Sequence, residues 1–517
     1  MELTEYQKAI VEHTLKLHSG EIPSLLVSAL AGTGKTFTTD YCIRAIPRGE
    51  SIGSIGYFLF NKKNVTEYEA KLIQNPVSNV NLTTCTLNAL GHRILIKHFG
   101  YKSGYDPETK KKTGNVDTGK YPRIIRKSFQ DSPVDPDIQE QVIDDVEKLC
   151  KFVRFTYTDP HDPIAIQTMI DTYGLVVEDM ALQRLPEILD AGQKFTEENG
   201  QWDFDDQAYV PLKMDLLTKT YDISFVDEGQ DVNRAQDLFL EKVSHKPFLI
   251  GDYFQSIYGW RGAGINTFSD FIQKYNATLL SLPINWRSDQ AIISRAQELV
   301  PDIQCAPDKP VGIVADKTMG ELLNEIKIGD AIICRKNAPL FSVAIRLDLK
   351  GIPVKVKDKS AADALVAILD QIKKRKEKKG EYNFRFIKSY LEEYKEFEMS
   401  RLMKKLPKSR GQMIYLADKI EALYIFLGQF PSYSHWDFIK KIKDFCNAFS
   451  EDGNGNDYVY CSTSHSSKGL EWDRVWVIDY DNMELVWAEM LPWQLQQERN
   501  CHYVTITRAR HELYLVR

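Results

Sequence analysis

IPSLLVSALAGTGKT, residues 22–36, decides the reading of this chain. Ile22 to Leu30 is a short apolar run, of the kind carried by a strand buried on both faces. A glycine-rich turn follows, and then a stretch of helical character. Strand, glycine turn and helix start, in that order, form a phosphate cradle. Gly32 and Gly34 let backbone N–H groups converge on phosphate oxygens, with Thr33 between them. Lys35 adds a point charge for the outer phosphates, and the Thr36 hydroxyl can hold Mg²⁺. Ala29 stands at the first position of the pattern, where Gly is usual.

Working outward, the same strand signature recurs. SIGYFLF (54–60), ISFVDE (223–228) and KPFLIGD (246–252) read as buried strands in the first half. AIICR (331–335) and RVWVIDY (474–480) repeat it in the second. Apolar strands separated by helical segments imply parallel sheets with crossover helices. Two groups of them, before and after about residue 280, imply two α/β domains. Two stretches differ in character. Residues 93–204 are polar and helix-rich, broken by the turn-rich loop YDPETKKKTGNVDTGKYP. Residues 361–452 are helical and basic and end in the linker-like EDGNGND. Both read as mainly helical insertions.

At 517 residues the chain is too long for one core. Its composition, 43% hydrophobic and 27% charged, is that of a globular protein. Eight cysteines contain no CxxC pair, which argues against zinc, iron–sulfur and disulfide frameworks and fits a cytoplasmic location. MELTEYQKAIVEHT is mixed polar and apolar, unlike a signal peptide, and no apolar run is long enough to span a membrane. Net charge is −6, yet residues 361–450 hold 18 Lys and Arg against 12 Asp and Glu. The densest run is QIKKRKEKKG (371–380). It reads either as a solvated helix face or as local basic surface of the kind that meets nucleic acid.

VDEGQD (226–231) follows a β-branched, apolar strand. Asp227 at the strand tip can hold a metal through a water, and Glu228 can take a proton from an attacking water. GDYFQSIYGWRGA (251–263) places Asp252 and Gln255 just before Tyr258, Trp260 and Arg261. An acid and an amide suit a nucleotide phosphate and its metal. An aromatic beside an arginine suits a flat ring on a charged backbone. One loop thus serves two ligands. INWRS (284–288) supplies Trp286 and Arg287, and YVTITRARHELYLV (503–516) supplies Arg508 and Arg510. Arginines of a second sheet domain would make the ATP site an interdomain cleft that hydrolysis opens and closes.

Taken together, the chain resembles the UvrD/PcrA/Rep group of superfamily 1A DNA helicases. LTEYQKAI (3–10) is similar to its Q motif, AGTGKT to motif I, YFLFNKKN (57–64) to motif Ia and VDEGQD to motif II. GDYFQSIYGWRGA is similar to motif III, LPINWRS to motif IV and AIICRKNA (331–338) to motif IVa. TSHSSKGLEWDRV (463–475) is similar to motif V, and YVTITRAR to motif VI. FNKKN and DFDDQAYVPL (203–212) look closest to the F-box DNA helicase branch, although no F-box is evident. Thr86 stands where motif Ib carries His, and Phe37 where many members carry Arg.

The resemblance implies two RecA-like parallel-sheet motor domains. The first would be 1–92 and 205–279, interrupted by a helical insertion at 93–204. The second would be 280–360 and 453–517, interrupted by a reduced basic insertion at 361–452. ATP and Mg²⁺ are the implied cofactors. Lys35, Asp227, Glu228, Gln255, Arg287 and Arg508 would carry catalysis. Gln7, Trp286, Gly469 and Glu471 would join the P-loop in holding the nucleotide. Phe60, Asn61, Tyr258, Trp260, Arg261, Arg335 and His465 would face DNA. The implied activity is 3′→5′ translocation on single-stranded DNA and unwinding of 3′-tailed or forked duplexes, in repair, recombination or replication. A recombination, replication or nuclease partner would fit, and no membrane role is expected. Two other readings stay open: a translocase that strips proteins from DNA, and a nucleotide-gated DNA-binding subunit of a nuclease or defence complex.

Overall fold

The computed structural model describes residues 2–47, 53–106, 111–130, 136–356, 359–447 and 457–517. Part of the turn-rich loop (107–110) and most of EDGNGND (451–456) lie outside these residues. The chain divides into two units, Met1–Pro283 and Ile284–Arg517.

The first unit is built on β1 (Leu25–Ala29), β2 (Ser54–Phe58), β3 (Asn81–Cys85), β4 (Tyr221–Val226), β5 (Ser244–Gly251) and β6 (Thr278–Leu282). They form a 6-stranded sheet in the order β3-β2-β4-β5-β1-β6, with every pair parallel. Leu25, Val27, Ile223, Phe225, Phe248 and Ile250 are buried on one face, which is why these strands read as continuous apolar runs. The register places Val226 beside Leu249, and Ser28 beside Gly251. The carboxyl ends of β4, β5 and β1 therefore lie side by side. In open parallel sheets that edge is where ligands bind. The unit ends a few residues later than the expected 279, because Thr278–Leu282 pairs along β1. TLLSL is half exposed and gave no buried-strand signature.

The helical insertion lies between β3 and β4. It has its own core, including Ile125, Phe129, Val146, Leu149, Leu185 and Ile188. A buried charge cluster joins it to DFDD (203–206). Lys120 meets Asp206 at 2.6 Å, both fully buried. Arg154 meets Asp203 at 2.6 Å, Asp205 at 3.2 Å and Asp206 at 3.1 Å. The acidic start of DFDDQAYVPL thus works as an electrostatic clamp. Breaking such a pair on one side leaves an uncompensated buried charge.

The second unit repeats the plan with β7 (Ile313–Lys317), β8 (Ala331–Cys334), β9 (Val354–Val356), β10 (Val459–Thr463), β11 (Trp472–Ile478) and β12 (Ala509–Val516). The order is β7-β12-β11-β8-β10-β9, again parallel. Helices Lys359–Lys378, Ile387–Met403, Arg410–Gln429 and His435–Asn447 lie between β9 and β10. Among the described residues, the core of this second insertion is continuous with that of the sheet layer. Leu369, Leu391, Leu423, Phe426 and Ile442 belong to one continuous cluster with Ile332, Phe341, Val459 and Trp476 of the sheet layer. Asp418 adds a polar tie. Its carboxylate accepts the N–H groups of Asn337 (3.0 Å) and Ala338 (2.9 Å), at the start of helix Asn337–Leu349. A carboxylate there satisfies orphan donors and matches the helix dipole.

Candidate functional site

The P-loop joins β1 to helix Lys35–Ala45. Gly32 and Gly34 have φ of +67° and +81°, a left-handed backbone that glycine adopts without strain. Gly34 caps the helix, so Lys35 and Thr36 open its first turn, and the Thr33 hydroxyl donates to the Leu30 carbonyl (2.8 Å). The helix start aims backbone donors toward the strand ends.

Two acids follow from the neighbouring strands. Burial and the adjacent Glu228 charge push the Asp227 carboxyl up to about 7, against the pull of Lys35. Burial likewise pushes Asp252 up to about 6, opposed by Lys35 and by the Gln255 amide. The Glu228 backbone is left-handed at φ +53°, and its N–H donates to Asp227 Oδ1 (2.9 Å). The Gln255 Nε2 donates to Asp252 Oδ2 (2.7 Å). Among the described residues no group of three or more His, Cys, Asp or Glu could hold a metal ion by itself. A Mg²⁺ ion brought by phosphates needs only one or two protein carboxylates, and a concentration of carboxyls at one sheet edge, with pKa values raised by burial and mutual repulsion, favours a cation there. Thr36 and Asp227 fit that role.

A cleft of about 960 Å³ opens on the same edge. Asp227 and Glu228 line it, together with Phe60, Asn61, Tyr258 and Arg261. Phe60 and Tyr258 lie nearly parallel, with ring centroids 6.3 Å apart and an interplanar angle of 8°. The Arg261 guanidinium is 4.5 Å from the Trp260 ring and 5.5 Å from the Tyr258 ring. Trp260 is 47% exposed, so a large apolar ring stands in water beside a cation. Asn61 caps helix Lys62–Gln74 by accepting the Asn64 N–H. Gln7 is buried. It completes a capping box with Thr4, and its Nε2 donates to Thr38 (3.2 Å), tying helix Glu5–Ser19 to the P-loop helix.

The second unit holds its own set. Trp286 is 41% exposed, and Arg287 forms an ion pair with Glu471 and donates to the Thr507 carbonyl (3.3 Å). Glu471 also accepts from Arg510 (2.6 Å). Burial would raise the Glu471 pKa, but the two arginines hold it below the usual range. Arg508 is buried. Its Nε donates to Val504 (2.8 Å), Nη1 to Leu470 (3.0 Å) and Nη2 to the Thr507 hydroxyl (3.1 Å). Gly469 has φ +83°, and His465 Nε2 lies 3.6 Å from the Cys501 sulfur.

Arg335, expected to face DNA, has its guanidinium buried against Glu498, at 2.6 and 2.8 Å, and donates to the Tyr415 hydroxyl (2.9 Å). A buried carboxylate holds the cation inside the unit.

A sequence model of the UvrD/REP helicase N-terminal domain matches residues 4–276, more than half of the chain. The chain belongs to the UvrD/REP helicase family. The UvrD-like helicase C-terminal domain matches residues 354–517. Among curated relatives, the ATP-dependent DNA helicase PcrA of Bacillus subtilis (strain 168) is 32% identical over 120 residues, 21% of this chain and 16% of that protein. The ATP-dependent DNA helicase PcrA of Staphylococcus aureus (strain Mu50) is 31% identical over 144 residues, 26% of this chain and 20% of that protein. DNA helicase II of Haemophilus influenzae is 34% identical over 93 residues, 17% of this chain and 13% of that protein. The aligned stretches thus span a fifth or less of these relatives' length.

In this member of the UvrD/REP helicase family, two structural details escaped the sequence reading. Gln230 is buried between Glu228 and the Asp252 backbone, donating to Glu228 Oε2 (2.5 Å) and accepting the Asp252 N–H (2.9 Å). Its place in VDEGQD was visible, but its partner across the sheet was not. The packing of the basic run 371–380 in the second unit is the other. Lys373 sits over the Trp436 ring (5.3 Å) and Arg375 over Phe397 (4.7 Å). Lys376 sits over Tyr390 (4.6 Å) and pairs with Glu393 (2.6 Å). Lys374 and Lys378 are exposed.

Proposed function

We propose that this chain is an ATP-driven 3′→5′ translocase on single-stranded DNA that unwinds duplexes. One observation carries the reading. A single cleft is lined by the carboxylates suited to phosphate chemistry and by the aromatic and cationic groups suited to a nucleic acid strand. Asp252, Gln255 and Trp260 lie in one loop beside it.

The chemistry assigns a role to each of these groups. The helix start and Lys35 bind the outer phosphates. Glu228 accepts the proton of the attacking water, and Gln255 reports on the γ-phosphate. Thr36 and Asp227 hold the Mg²⁺, which when bound screens phosphate charge. Arg287 and Arg508 are assigned to the γ-phosphate; each must exchange its present partners for phosphate oxygens. Gln7 and Trp286 are assigned to the adenine, and Gly469 and Glu471 to the nucleotide side. Phe60, Tyr258 and Trp260 stack on bases, while Asn61, Arg261 and His465 meet the strand. Stacking one base is worth about 1–3 kcal/mol. Melting one duplex step costs about 1.4 kcal/mol. Stacking can hold a gained step but cannot drive repeated stepping, so ATP must alternate the grip.

The test is ssDNA-stimulated ATPase measured beside unwinding of 3′-tailed and 5′-tailed duplexes. Stimulation with unwinding of the 3′-tailed duplex alone is expected. Unwinding from the 5′ tail overturns the polarity. Turnover and translocation without unwinding would favour a protein-stripping translocase. Nucleotide-gated DNA binding without turnover would favour a subunit of a nuclease or defence complex.

Trp260→Ala is expected to reduce ssDNA stimulation more than turnover without DNA, and to slow translocation. Lost stacking of about 1–3 kcal/mol sets the scale. Normal stimulation in that variant would remove Trp260 from the DNA track.

The basic helix gives a further expectation. Lys374→Gln with Lys378→Gln should lower the salt slope of forked-duplex binding by about 0.9 for every phosphate no longer neutralised. Lys373, Arg375 and Lys376 are held by rings and carboxylates and contribute less. A salt series by fluorescence anisotropy decides, and an unchanged slope means a solvated face.

A further inference from the structure

We propose that Gln230 is a positioning residue that links the loop carrying Trp260 to the proton acceptor Glu228. The proposal rests on the functional reading above and deepens it. Gln230 is 1% exposed, and both ends of its amide are used. Nε2 donates to Glu228 Oε2 at 2.5 Å, and Oε1 accepts the Asp252 N–H at 2.9 Å. Asp252 is fully buried and continues the chain of bonds. Its Oδ1 accepts the Phe254 N–H (3.0 Å), and its Oδ2 accepts the Gln255 amide (2.7 Å). An unbroken run of hydrogen bonds thus leads from Glu228 to the turn that precedes Trp260.

The polarity of the run is fixed. A carboxylate only accepts and a backbone N–H only donates, so just one orientation of the amide satisfies both ends. The space is fixed too. A Cβ at Gly251 would fall 2.3 Å from Gln230 Oε1, and one at Gly229 would fall 2.4 Å from Leu249. Glycine at both positions lets the amide bridge the ends of β4 and β5. Glu228 is itself held in a left-handed backbone. Its side chain therefore has little freedom to follow the loop except through this amide. A shift of the Asp252 N–H as DNA engages the loop moves Gln230, and Gln230 moves the carboxylate.

Gln230→Met keeps the length and volume and removes both hydrogen bonds. In this variant kcat on ssDNA should fall by at least about fivefold more than kcat without DNA, the lower end of typical coupling between sites. KM for ATP should stay unchanged. A general packing defect would lower both kcat values together or raise KM, and that result overturns the proposal. Gln230→Asn keeps the amide but is one methylene short; it should not rescue stimulation, and full rescue also overturns the proposal.

Hydrogen exchange tests the linkage without DNA. Glu228→Ala should alter amide protection at 252–256 in the wild-type background and leave it unaltered in the Gln230→Met background. Equal changes in both backgrounds, or none in either, overturn the linkage. A wild-type chain with no ssDNA stimulation would sink the functional reading instead, and the exchange result would still decide the linkage.

Discussion

In Lys35→Ala, ATP turnover is expected to fall by about 10²–10³-fold, the usual consequence of removing one preorganised charged donor from a transition state, while most of the affinity for single-stranded DNA remains. Lys35 opens the helix that leaves the P-loop, and its charge acts on both Asp227 and Asp252. Phe60, Tyr258 and Arg261 line the cleft from other segments. The two functions therefore rest on different side chains, although they share one sheet edge. The loss has a second part. Without Lys35 the carboxyls of Asp227 and Asp252, already raised by burial, rise further, and fewer of them are ionised to receive a metal. Steady-state ATPase and anisotropy with labelled oligonucleotide measure the two activities. An equal loss of both would mean that phosphate and strand occupy one site.

The second large effect concerns stability. Arg335→Met is expected to cost about 3–5 kcal/mol, because it strands Glu498 in the interior without its cation. Glu498 is 1% exposed and keeps only weaker support, including the Leu485 N–H at 3.1 Å. The double variant Arg335→Met with Glu498→Leu should recover most of the loss, since an apolar pair of similar volume replaces the buried ion pair at little cost. Denaturant unfolding of wild type, both single variants and the double variant closes the cycle. A stable Arg335→Met chain with weakened DNA binding would restore the role that its motif suggests.

Those two residues show where the sequence was informative. Lys35, Asp227, Glu228 and Gln255 were legible because their chemistry is local: a turn, a strand end and a few residues on either side define each. The two α/β units were legible because strands buried on both faces must be apolar throughout. The role of Gln230 was not legible, since its partner belongs to β5 and comes near only through the register of the sheet. The partner of Arg335 was not legible, because nothing near it in the chain announces Glu498, more than 160 residues away. The lysines of 371–380 looked alike in one dimension. Their helix distributes them between aromatic partners and water, and only packing reveals which is which.

The second insertion's shared core has a mechanical consequence. Leu369 and Phe426 lie in the same apolar cluster as Ile332 and Trp476, and Asp418 holds the start of helix Asn337–Leu349. Cutting out residues 359–447 would strip one side of a sheet rather than remove an appendage, so the second unit should melt in one cooperative step. The exposed Lys374 and Lys378 are, in effect, mounted on the second unit's own chassis. A load applied there is borne by β8 and β10, the strands that lead into Arg335 and Ser464. Whatever those lysines touch, pulling on it pulls directly on the sheet.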